Sequence, residues 1–158
     1  MTDNTSQAPG SPCLVMGIGN YLMGDEGLGC HFIQRFKDTF PEDIEVVDGG
    51  TGGFLLMPYF EEHAKVILID ATMDADPPGT IKMLKPRFSK DFPKSMSTHD
   101  IGLKDVVEAM TIRETMPEIF LFTVSIEEIQ PMEVNLSPRI DEALSELKSK
   151  IDGLIRTF

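Results

Sequence analysis

A chain of 158 residues with 41% apolar and 25% charged side chains has the make-up of an ordinary globular protein with length for one core, which excludes wholesale disorder and two separate domains. Its 26 acidic against 14 basic residues leave a formal charge of −12, a sign that repels a phosphate backbone and argues against nucleic acid as a partner. Apolar runs such as Val66-Ile67-Leu68-Ile69 are far shorter than the roughly 20 residues needed to cross a bilayer, which argues against membrane insertion.

Residues 1–12 carry neither a basic flank nor an apolar stretch and read as a flexible polar tail ahead of a single domain over 13–158. Cys13 to Gly17 is a short apolar run stopped by glycine, the pattern of a buried strand. A loop from Gly19 to Gly27 follows, and Gly29, Ile33, Phe36 and Phe40 then mark an amphipathic helix that Pro41 helps to end. Ile44 to Asp48 is a second strand and Gly49 to Gly53 a turn. Phe54 to His63 is a second helix with Pro58 as a weak point. Lys65 to Asp70, with four consecutive apolar residues, fits a strand covered on both faces.

Asp74 to Gly79 is turn chemistry, Thr80 to Leu84 an edge strand and Asp91 to Ser97 a loop. Ser97 or Thr98 can cap a helix through Ile101, Leu103, Val106, Val107 and Met110, and Ile119 to Val124 is another buried strand. Ser137-Pro138 then opens a helix whose stripe runs from Ile140 to Ile155. This alternation predicts an α/β fold: a three-layer αβα arrangement with a twisted, mostly parallel sheet of about five strands.

In open parallel sheets, ligands collect beyond the carboxyl ends of the strands. The segments leaving the first three strands carry Asn20, Asp25 and Glu26, then Asp48, then Asp70, while His99 opens a later helix. Carboxylates and one imidazole suit zinc, nickel or a related divalent ion, with positions left for water or substrate. The bland alternative makes Glu26 and Asp48 plain loop carboxylates, Asp70 a turn cap and His99 a surface group. His31 and His63 are expected on solvated helix faces. Cys13 and Cys30, outside any C-x-x-C pattern, are expected to be small core residues in a reducing, cytoplasmic setting.

Gly17-Ile18-Gly19 also opens a dinucleotide-binding pattern, but the sixth position is Leu22, and Asp25 with Glu26 would repel a pyrophosphate. A nucleotide-binding Rossmann-like protein is thus the weaker alternative.

Read together, Gly17-Ile18-Gly19-Asn20 with Asp25-Glu26-Gly27-Leu28-Gly29, Asp48-Gly49-Gly50-Thr51, Ile69-Asp70-Ala71 and Ser97-Thr98-His99-Asp100-Ile101-Gly102-Leu103 resemble the nickel-iron hydrogenase maturation endopeptidases. Pro78-Gly79-Thr80 and Leu136-Ser137-Pro138 add to the likeness; Thr98 stands where relatives often have proline. The resemblance implies an enzyme that trims the C-terminal extension of the hydrogenase large-subunit precursor once nickel is installed. It also implies that the precursor supplies the nickel, that Glu26, Asp70 and His99 are the metal ligands and catalytic set, and that Asp48 helps to recognise substrate. Zinc or another divalent ion could occupy the same site. A chaperone that senses nickel in the large subunit without cutting it is the non-enzymatic alternative.

Overall fold

The apolar runs become strands with helices on both faces. The computed structural model describes residues 13–94 and 101–158, Ile101 by its backbone alone. The expected tail 1–12, the capping candidates Ser97 and Thr98, and His99 lie outside the described residues. Strands β1 (Cys13–Ile18), β2 (Ile44–Gly50), β3 (Lys65–Thr72), β4 (Ile81–Leu84) and β5 (Glu118–Ser125) form one sheet in the order β2-β1-β3-β5-β4. All pairs are parallel except β4 with β5, where Ile81 faces Val124 at the sheet edge.

The two-residue period of the strands divides their side chains between two apolar layers. Val15, Ile67, Ile69, Phe120 and Phe122 pack against α1 (Leu28–Phe36) and α4 (Pro138–Ile155) through Phe32, Ile33, Leu144 and Leu147. Leu14, Met16, Val66, Leu68 and Leu121 pack on the opposite face against α2 (Met57–Glu61) and α3 (Ile101–Arg113) through Phe60, Val106, Val107 and Met110. This is the expected αβα arrangement. Among the described residues no helix is long and apolar enough to cross a membrane.

Element lengths depart from the sequence expectation in several places, among them β2, which runs through Gly50 and not only to Asp48. The first helix stops at Phe36 and tightens into a 3-10 turn over Lys37–Thr39, where the Thr39 hydroxyl donates to the Phe36 carbonyl at 2.6 Å. The second helix is a 3-10 turn, Gly53–Leu56, leading into only five α-helical residues. Pro58 lies in the first turn, where a missing N–H costs nothing, and so is no weak point. Strand β3 runs two residues past Asp70, because Ala71 and Thr72 still pair with Val124 and Ser125.

Two glycines set how closely α1 meets the sheet. A Cβ at Gly29 would lie 2.5 Å from the Ile18 carbonyl oxygen and 2.7 Å from that of Ile69, and one at Gly17 would lie 2.1 Å from the Gly29 carbonyl oxygen. Bare backbone therefore meets bare backbone, which draws the turn ahead of α1 onto the carboxyl rim of the sheet.

Candidate active site at the carboxyl rim

Glu26 sits in the 3-10 turn Gly24–Gly27 directly before α1, and this turn packs against β3. The chain folds back on itself at Gly19, whose φ of 141° is open to glycine and whose bare Cα faces the Glu26 carbonyl; a Cβ there would come within 2.4 Å of that oxygen. Glu26 is only 1% exposed, which tells against the bland alternative of a plain loop carboxylate. Asp70 is fully buried one residue beyond Ile69, the carbonyl that Gly29 covers, and its Oδ1 accepts the Ala71 N–H at 2.8 Å. The fold thus brings the turn of Glu26 and the strand end of Asp70 to one stretch of rim.

Asp25 does something else. Its carboxylate accepts the Ser137 N–H at 2.7 Å, the Ser137 hydroxyl at 2.8 Å and the Gln130 side-chain amide at 3.1 Å, while its own N–H donates to Gln130 Oε1 at 2.8 Å. Ser137 is the residue at the head of α4, as its pairing with Pro138 suggested, but its hydroxyl serves Asp25 instead of capping its own helix. Asp25, one of the rim carboxylates in the sequence reading, is therefore a clamp that ties the Glu26 turn to α4. Asp25→Ala is expected to lower unfolding free energy by about 2 kcal/mol or more, because it strands buried donors. A fall in the urea midpoint with an unchanged slope would report it; an unchanged midpoint would remove the clamp role.

Asp48 stands apart from the buried pair. It is exposed, its Oδ1 accepts the Gly50 N–H at 3.1 Å, and it lines a small open cleft of about 210 Å³ with Asn20, Tyr21, Cys30, Gln34 and Thr51. Cys30 is buried there with its thiol 3.4 Å from the Gly19 carbonyl. Burial first, and then the neighbouring Asp48 carboxylate, push that thiol far above the ordinary range. The Cys13 thiol is pushed up to about 11, chiefly by burial. Both are core residues, as expected from the sequence.

The histidine expectations change. His63 is buried, not solvated: its Nδ1 lies 2.6 Å from the Tyr59 carbonyl and its Nε2 lies 2.8 Å from Glu45. His31 is half-buried and stacked on Tyr21 at 4.6 Å between ring centroids, and desolvation holds its pKa below the ordinary histidine value. Neither is on a solvated helix face. His99 is outside the described residues. Among the described residues no group of three His, Cys, Asp or Glu side chains could hold a metal ion. Gln130 and Ser137 were missed as supports of the site. Their only sequence signal was the helix start at Ser137, since the partner, Asp25, is 112 residues away.

Comparison with known proteins places this chain in a wider group. The first relative is a hydrogenase expression/formation protein HupD of Bradyrhizobium diazoefficiens, 35% identical over 111 residues, which cover 66% of this chain and 57% of the relative. The chain thus spans a little over half of that protein. A hydrogenase expression/formation protein HoxM of Azotobacter vinelandii is 31% identical over 152 residues, covering 87% of this chain and 72% of the relative. The solved structure of the hydrogenase maturating endopeptidase HybD from E. coli superposes with a TM-score of 0.83 at 27% identity, covering 92% of each chain. Residues 30–152, well over half of the chain, match the family described as hydrogenase maturation protease, and the chain belongs to that family.

Proposed function

We propose that the protein is an endopeptidase that removes the C-terminal extension of a nickel-iron hydrogenase large-subunit precursor after nickel insertion, with residues 13–158 acting as one domain. The observation that carries the reading is the pair of carboxylates, Glu26 and Asp70, buried at the carboxyl rim in a chain of this family. Two carboxylates buried at one rim are an uncommon arrangement, since buried acids are seldom found away from a functional or paired setting. The donor set fits a divalent ion, because both groups offer hard oxygens and His99 would add a borderline nitrogen.

Support for including His99 comes from the described residues around the start of α3. Asp70 continues the row of Val66 and Leu68 on the face that α2 and α3 cover, and Gly102, in the first turn of α3, lies against Gly53 in the turn after β2. His99 stands two residues ahead of Ile101, the first residue of that helix.

In this proposal the nickel belongs to the substrate. Glu26, Asp70 and His99 complete its coordination, and the metal site of the precursor becomes the anchor that holds the scissile bond in place. Orientation then supplies much of the rate. Asp48, exposed beside its cleft, contacts the substrate chain. Only a precursor with its metal installed would be gripped, so cleavage follows insertion.

The test is the intact mass of a cognate large-subunit precursor after incubation with the protein, nickel-loaded and nickel-free in parallel. Loss of a C-terminal peptide from the loaded precursor alone is expected. Binding without loss from either sample would favour a nickel-sensing chaperone instead.

A further inference from the structure

Resting on the peptidase reading above, we propose that Leu22, Met132 and Val134 form a seat for an apolar segment, flanked by lysine or arginine, on the surface of the large-subunit precursor. Large apolar side chains scattered singly over a surface are ordinary. These three are not scattered. Leu22 is 49%, Met132 82% and Val134 42% exposed, and they come from two loops stitched together by backbone. The Glu133 N–H donates to the Leu22 carbonyl at 3.2 Å, the Gly24 N–H to the Glu133 carbonyl at 2.7 Å, and the Gln130 N–H to the Met23 carbonyl at 3.4 Å. The Leu22 N–H is fixed in turn by Asn20 Oδ1 at 3.0 Å.

Met132 adds a cost that packing within the chain does not explain. Its φ of 61° is a left-handed conformation that a non-glycine residue adopts only at an energetic penalty, and the side chain so held is turned out to water. A rigid platform carrying an exposed apolar group is what a docking anchor needs, because little ordering entropy is left to lose on binding. The platform is also tied to the site. Gln130, two residues before Met132, clamps Asp25, the neighbour of Glu26. An occupant of the seat is therefore held at a fixed offset from the buried carboxylates.

Charge selects the occupant. Glu133 lies between Met132 and Val134, and Glu127 and Glu128 are exposed on the same loop. A second copy of this chain, at a net charge of −12, would bring acid against acid, and an anionic lipid surface would be repelled in the same way. A precursor segment with basic flanks around an apolar centre meets both features.

The experiment measures KM and kcat for peptide release from the nickel-loaded precursor, with binding of the same precursor followed separately. Met132→Asn removes the apolar group and suits the left-handed backbone, so folding is not at risk. This variant and Leu22→Asn are each expected to raise KM about tenfold, with kcat changed less than about twofold. Glu127→Lys with Glu128→Lys is expected to raise KM and flatten its dependence on salt. Ile112→Asn, on α3 at 83% exposure, is the control and should match wild type. If wild type cleaves and the Met132 and Leu22 variants keep its KM, the seat is wrong and the peptidase reading stands. If wild type neither binds nor cleaves a cognate precursor, that reading falls and the seat falls with it.

Discussion

Glu26→Gln is expected to leave the large-subunit precursor uncut, with single-turnover peptide release lowered by at least about 10²-fold, the cost of a reacting bond held out of place. The amide keeps the volume of the buried side chain, which is 1% exposed, so the core around the turn stays filled. It gives up the charge that would hold a cation. Thermal unfolding within a few degrees of wild type would show that the loss belongs to the site and not to the fold. His99→Ala should show the same loss. Full processing by either purified variant would remove that residue from the proposed set.

The second large effect is structural. Gly29→Ala improves helix propensity by about 1 kcal/mol at most, yet it drives a methyl group into two backbone carbonyls of neighbouring strands. Backbone in a central sheet cannot step aside as a side chain can. The overpacking term, about 3 kcal/mol, wins. With the propensity gain set against it, a protein of this size should then melt roughly 4–12 °C lower. Gly153→Ala makes the opposite case: a Cβ there meets nothing within 4 Å, and α4 should gain up to about 1 kcal/mol. Circular dichroism melts of the two variants would separate steric contact from propensity, and a stable Gly29→Ala protein would mean that α1 can lift off the sheet at little cost.

Strand content was legible because buried parallel strands leave unbroken apolar runs: Leu14 to Met16, Val66 to Ile69 and Ile119 to Phe122 needed no partner to be recognised. The family was legible from glycines and acids in order along the chain. Burial of polar groups was not. Glu26 and His63 occupy sequence settings that look solvated, yet the return of the chain at Gly19 and the placing of the His63 ring between the Tyr59 carbonyl and Glu45 leave both buried. Asp25 and Glu26 are adjacent acids with no local difference between them. Their division into clamp and candidate ligand depends on Ser137, which a local pattern cannot reach.

The two cysteines lie at opposite ends of one strand's length. Cys13 begins β1, and the Cys30 sulfur rests on the Gly19 carbonyl just past the far end of that strand. Six extended residue-to-residue steps lead from Cys13 to Gly19, a span of roughly 20 Å, whereas a disulfide needs Cα atoms within about 7 Å. Oxidation to an internal crosslink is closed to this fold. With both thiols buried and held protonated, exchange with glutathione is slow as well. The stability of this fold therefore owes nothing to a crosslink between its own cysteines.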